Sequence, residues 1–195
     1  MIKRLSSKQE QKRKAKKNQL IIGLTLVGLM ILSTFGIIVN SFGNNEETDE
    51  ITYNGYVFEE SGGIYSLKLG EAEFYFRTNP EEIKNLEYES NHSKLISDYL
   101  SKPLYIDSPN QIPYAELYQN LYPFAQKIQP ACIDEKNCAS GEYPIKTCED
   151  EMIIVRKKSD NNIYQEENCI FIEAKNEDLN KLTDKFLFTL IGIDK

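Results

Sequence analysis

"NCIFIEAKNEDLNKLTDKFLFTLIGI", residues 168–193, joins two local patterns whose succession sets the fold class. Ile170, Phe171 and Ile172 form a short apolar, β-branched and aromatic centre, which reads as a strand buried in a sheet. Asn176 can cap a helix, and Glu177 and Asp178 occupy its first turn, where the helix dipole favours acids. Leu179, Leu182, Phe186, Leu187, Leu190 and Ile191 then recur at helical spacing as one wide apolar stripe. Gly192 closes the helix. An apolar strand followed at once by an amphipathic helix implies a sheet with helices packed on it.

The stretches before it extend the pattern. "EMIIVRK", residues 151–157, and "KPLYIDSP", residues 102–109, read as further strands. Between them, Ile112 to Ile128 carries Leu117, Leu121, Phe124, Ala125 and Ile128 at helical spacing. Pro123 falls inside that pattern and should kink or split the helix, since it removes a backbone donor and crowds the preceding turn. Asn79-Pro80-Glu81-Glu82 has the cap, the proline and the acids of a helix start. Residues 51–78 hold three short alternating runs, "ITYNGYVFEE", "GGIYSLKLG" and "EAEFYFRT", separated by Ser61-Gly62-Gly63 and Gly70-Glu71. They predict an antiparallel meander. The expected architecture is α+β: an N-terminal β-meander joined to a helix-covered mixed sheet in one domain, residues 51–195, long enough for an ordinary core.

Residues 163–193, with "TYNGYVF" at 52–58 and "NPEEIKNL" at 79–86, resemble single-pass, membrane-anchored surface proteins of small-genome archaea of the DPANN type. The resemblance implies an archaeal cell surface and a basic tail in the cytoplasm, and it carries no activity.

Ahead of the domain, residues 20–40 are uncharged and dominated by Leu, Ile, Val and Gly. A helix of twenty residues is about 30 Å long, the thickness of a bilayer core, so this stretch is expected to be a transmembrane helix. Removal as a secretion signal is the alternative, with a marginal cut at Val39-Asn40-Ser41. Of the chain's 23 basic and 30 acidic residues, eight bases and one acid lie in residues 1–17, net +7, so the remainder carries net −14. Basic residues stay on the cytoplasmic side, which places residues 1–19 inside as a cytoplasmic tail and the domain outside. Such a tail attracts anionic lipid headgroups, and with no folded module beside it nucleic acid is not an expected partner. Residues 41–50 form an acidic spacer.

All four cysteines, Cys132, Cys138, Cys148 and Cys169, lie beyond the apolar stretch. An even count in an exterior segment reads as two disulfides, with three possible connectivities. Proximity in sequence favours Cys132 with Cys138 and Cys148 with Cys169. Zinc is disfavoured, because no CxxC pair occurs and the lone histidine, His92, is distant. His92 reads as an exposed loop residue; with Asn91 and Ser93 it forms a sequon, which makes Asn91 a glycosylation candidate.

No nucleophile elbow, zinc-helix or phosphate-loop motif occurs, so no catalytic, metal or cofactor residue is assigned. Glu59 with Glu60, or Glu81 with Glu82, would be the paired carboxylates of an envelope hydrolase, although adjacent acids are usually solvated surface. A minor pilin-like subunit, cut near Asn18, is a further alternative. The twelve tyrosines suit interfaces as well as cores. The functional expectation is a membrane-anchored extracytoplasmic binding or structural domain whose partner is an envelope protein.

Overall fold

A computed structural model describes residues 16–19, 21–30, 49–136, 138 and 141–194. The chain divides into two compact units, residues 1–47 and residues 48–195.

In the first unit, residues 16–19 and 21–30 are helical, and Ile21, Leu24, Leu26, Leu29 and Met30 are exposed. Among the described residues no helix is long and apolar enough to cross a membrane. The helical run 21–30 rises about 15 Å, half of a bilayer core. The expected transmembrane helix over residues 20–40 is corrected on this finding; residues 20 and 31–40 of that stretch lie outside the described residues, as do 1–15 of the basic tail.

The second unit is α+β with two sheets. Strands β1 (Asp49–Tyr53), β2 (Tyr56–Ser61), β3 (Ile64–Leu69) and β4 (Ala72–Phe76) form the expected antiparallel meander in sequential order. β1 takes in Asp49 and Glu50, so the fold begins two residues before the predicted boundary; residues 41–48 of the spacer lie outside the described residues. Tyr53 pairs with Tyr56 across a two-residue turn, in which Asn54 and Gly55 adopt φ of 51° and 85°. Two consecutive positive φ values match the twist of a hairpin, and Asn-Gly is the pair that tolerates them best.

Helix α1 (Pro80–Lys84) follows, and Asn79 Oδ1 accepts the Glu81 N–H at 2.9 Å, as the sequence predicts. The second sheet contains β5 (Glu89–Asn91), β6 (Pro103–Asp107), β7 (Lys127–Pro130), β8 (Met152–Lys157), β9 (Asn162–Glu166) and β10 (Cys169–Ala174), in the order β5-β9-β10-β8-β6-β7. β7, β6, β8 and β10 run parallel, and β9 pairs antiparallel to β10. The sheet is therefore mixed, with β9 hairpinning back to insert β10 beside β8.

Helix α2 (Gln111–Leu121) crosses from β6 to β7, and helix α3 (Leu179–Leu190) ends the fold. α2 is shorter than the pattern over 112–128 suggests. It stops two residues before Pro123, and Ile128 belongs to β7 instead. A proline disfavours helical geometry at the residue before it, so the pattern is broken there rather than kinked. α3 starts at Leu179, with Asp178 rather than Asn176 at its N-cap. Asp178 Oδ2 is bound by Asn161 Nδ2 at 3.0 Å.

The two helices lie between the two sheets, and this explains why Leu182, Asp184, Phe186, Leu187 and Phe188 on successive sides of α3 are all buried. A helix sandwiched on opposite faces needs apolar residues nearly all round. Phe188 meets the meander, with ring centroids 4.7 Å from Phe76 and 5.4 Å from both Phe58 and Tyr53. Ile153, Val155, Ile170 and Ile172 face the same core from the second sheet, whereas Met152, Ile154 and Cys169 face away. Among the described residues no helix packs on that far side. Tyr105, Ala131, Ile133 and Cys148 join its apolar cluster, so the cysteine-bearing segment 131–150 is its cover. Disulfides Cys132–Cys138 and Cys148–Cys169 are both formed, and the second ties the cover to β10.

Candidate functional site

The residues singled out from the sequence are dispersed. Asn91 is exposed at the end of β5, an edge strand of the second sheet. His92 is half-buried rather than exposed, with its ring 5.4 Å from that of Phe186. Neither ring nitrogen has a hydrogen-bond partner among the described residues. Burial lowers its pKa below the usual imidazole value, which keeps the ring neutral. Glu59, Glu81 and Glu82 are exposed. Glu82 pairs with Lys181 at 2.8 Å, and Glu60 accepts the Gly63 N–H at 2.8 Å. These acids are surface groups, and no two of them flank a pocket in the manner of a glycosidase.

The acids that are brought together are Glu116 and Asp184. β4 is the edge of the meander, and helix side chains receive an outward N–H of β4 and the N–H groups of the two residues that follow it. Tyr75 N–H donates to Asn120 Oδ1 at 2.8 Å, Arg77 N–H to Glu116 Oε1 at 3.0 Å and Thr78 N–H to Asp184 Oδ2 at 3.0 Å. Residues 116 and 120 are one helical turn apart, about 6 Å, which nearly matches the two-residue repeat of a strand. Glu116 is 3% exposed and Asp184 is 0% exposed. Their remaining oxygens, Glu116 Oε2 and Asp184 Oδ1, meet no fixed donor among the described residues. The two carboxyls influence each other's ionisation, and with no donor supplied from elsewhere among the described residues a proton retained on one is the group that can satisfy the other.

Burial, followed by the Asp184 charge, pushes Glu116 up to about 9; burial pushes Asp184 up to about 7 against the pull of its donors at Thr78 and Arg77. One proton shared by two like groups is the arrangement of a catalytic dyad. Here, however, both groups are sealed inside the core, and what they hold is the two residues after β4. A carboxylate in mid-helix among apolar neighbours was the available signal for both residues, and its partners were invisible because they lie on other elements.

An open site exists at the carboxyl ends of the parallel strands. β6 leads to β7 on one side, while β8 leads to β9 and β10 on the other, so the strand order reverses between β6 and β8. Ligands of open α/β sheets bind in the crevice outside such a point. Asp107, at the end of β6, and Arg156, near the end of β8, fill the crevice itself. Arg156 Nη1 donates to Asp107 Oδ1 at 2.9 Å and its Nη2 to Oδ2, while the Ile133 N–H reaches Oδ2 at 2.8 Å. Asp107 is buried and lies beneath the charge of a guanidinium in fork geometry.

Beside this plug opens a cleft of about 490 Å³ between β6, β7 and the start of α2. Ile106, Ala115 and Ala131 supply apolar walls, and Pro109 and Pro130 flank it; Ser108, Gln111, Tyr114 and Tyr143 supply polar atoms, with Asp107 at the base. Tyr143 comes from the disulfide-bonded cover. Burial raises the Tyr114 phenol, helped by Tyr118 and Tyr143, so its hydroxyl remains a donor. No lining residue is a lysine or arginine, and the one carboxylate is spent on Arg156. The cleft can hold a neutral ligand by hydrogen bonds and ring contacts.

Among the described residues no group of three or more His, Cys, Asp or Glu is placed to hold a metal ion. No family model, curated protein or solved structure matches this chain.

Proposed function

We propose that this protein is an exported, disulfide-braced binding domain rather than an enzyme, that its partner is a component of the cell envelope, and that the cleft beside Tyr114 and Tyr143 receives it. Pairing of all four cysteines supports an oxidising compartment. The observation that carries the binding reading is the neutralised base of the cleft: Asp107 is held by Arg156, which leaves groups that orient a ligand and none that would cleave it.

The exposed apolar residues 21–30, preceded by Lys16 and Lys17, give lipid with anionic headgroups as the partner of the N-terminal segment. Flotation with anionic vesicles tests this, and failure of the full chain to float removes it. Asn91, exposed on an edge strand, is the proposed glycan acceptor; mass spectrometry of the native protein finding it unmodified ends that assignment.

The test of the main reading is a photo-crosslinking residue at Gln111, on the exposed rim, in intact cells. Capture of one envelope component, lost with Tyr143→Ala, is the expected outcome. A carboxylate-dependent hydrolase is the rival; it would need access to Glu116 and Asp184, the acids with raised pKa, which the core seals. Turnover of a polysaccharide or peptide by the purified chain, abolished by Glu116→Gln, would replace binding with catalysis.

A further inference from the structure

The geometry points to a ligand class: the cleft and the tyrosine row leading from it bind an uncharged polysaccharide chain. This rests on the cleft being the binding site.

Charge narrows the ligand first. The cleft offers no cation to a phosphate, sulfate or carboxylate, and the residues beyond 17 carry net −14, so polyanions are repelled. A cationic ligand finds the only lining carboxylate already bound by Arg156. A neutral molecule remains.

Backbone chemistry narrows it further. A peptide added to a sheet edge is held by main-chain hydrogen bonds. At this rim Pro109 and Pro130 have no N–H to give, and Pro130 ends β7, the edge strand of the sheet. The groups left are the Tyr114 and Tyr143 hydroxyls and the Gln111 amide, which both donate and accept, and Ser108 Oγ, which can accept while it donates to the Asn110 carbonyl at 2.8 Å, beside aromatic rings. A sugar ring presents hydroxyls around its rim and C–H groups on its faces, and it matches that set.

The ligand is longer than one ring. Tyr114, Tyr118 and Tyr122 lie at successive turns of α2, with ring centroids 6.1 and 5.3 Å apart and planes within 26°. Tyr118 is 38% exposed and Tyr122 58% exposed, so the row carries the cleft's aromatic character outward along the open face of the helix. Eight residues of helix span about 12 Å, room for roughly two or three sugar units. The ladder presents ring edges and phenol hydroxyls, donors for the oxygens of successive units.

Calorimetric titration of the full chain, disulfides intact, with cellohexaose, chitohexaose and mannohexaose tests the class, with hexagalacturonate and decaproline for comparison. At least one neutral hexasaccharide is expected to bind. Tyr114→Phe, which keeps the ring packed against the core and removes the hydroxyl, should weaken it roughly tenfold, and the exposed Tyr118→Ala roughly threefold, both with unchanged melting temperature. Decaproline binding that depends on Tyr114, with no saccharide bound, overturns the ligand class and leaves the cleft standing as a site. Preference for hexagalacturonate overturns the charge argument in the same way. Binding of no probe, together with no crosslink from Gln111 in cells, overturns both the class and the cleft.

Discussion

Asn120 closes both backbone groups of Tyr75 from a different element: its Nδ2 donates to the Tyr75 carbonyl at 2.7 Å and its Oδ1 accepts the Tyr75 N–H at 2.8 Å. One helix side chain thus completes a strand edge as a neighbouring strand would. It binds the meander to the central helices without another strand, and it hides an edge that would otherwise be open to pairing with a second chain.

Asn120→Ala removes both bonds and leaves two backbone groups without partners, at a cost of about 2–4 kcal/mol. Asn120→Asp keeps the acceptor but loses the donor and buries a charge, so it should be at least as damaging. Urea unfolding of the two variants against wild type measures this. A loss under 1 kcal/mol in Asn120→Ala would show that the edge is not held this way.

Glu116 and Asp184 make the fold sensitive to alkali. Both keep protons in the fold to higher pH than in the unfolded chain, where such carboxyls titrate near about 4. Their contribution is complete below that value and is lost as the pH rises through about 7 and about 9. Wild type should lose of the order of 2–4 kcal/mol between pH 6 and pH 9. Glu116→Gln keeps a bond acceptor for Arg77 and supplies a fixed donor to Asp184, so its stability should change by less than about half as much. Equal slopes for the two proteins would exclude a shared proton.

His92 acts on the acid side. Its pKa is lowered by burial, so the unfolded chain takes up the proton first, and the stability present above the unfolded value near about 6.5 is lost as the pH falls below it. His92→Phe, which keeps the ring contact with Phe186, should flatten melting temperature against pH in that limb and leave the alkaline limb unchanged. Thermal scans from pH 4 to pH 7 decide it, and an unaltered acid limb would place the titrating group elsewhere.

The two disulfides should contribute unequally. Cys148 and Cys169 are 21 residues apart and Cys132 and Cys138 only 6. Loop entropy gives about 3 kcal/mol for the first and about 2 kcal/mol for the second. Loss of Cys148–Cys169 also frees the cover over Met152 and Ile154, so the Cys148→Ser, Cys169→Ser double variant should bind a hydrophobic dye. The Cys132→Ser, Cys138→Ser variant should bind less, and the reverse order would mean that the cover is held by its own packing.

The sequence by itself determined the elements whose causes are local. Asn79 started α1 because its side chain reaches the next turn, and the apolar centres of β8 and β10 and the stripe on α3 followed from periodicity, whereas the run 51–60, read as one, is split into β1 and β2 by Asn54-Gly55, two adjacent residues that tolerate positive φ. Sequence proximity also favoured the two disulfide pairs that formed. The three-residue β5 was too short to leave a pattern, β9 had none that separated it from its turn, and the span expected over residues 20–40 was read from the length of its uncharged apolar run. Tertiary structure alone decided that segment 131–150 roofs the far side of a sheet and that His92 packs on Phe186. It alone decided that Asn120, Glu116 and Asp184, lying 45, 39 and 106 residues from the N–H groups they accept, act together on β4 and the two residues after it. A buried polar group must find a partner somewhere in the fold, but which partner depends on elements brought together only after they have packed.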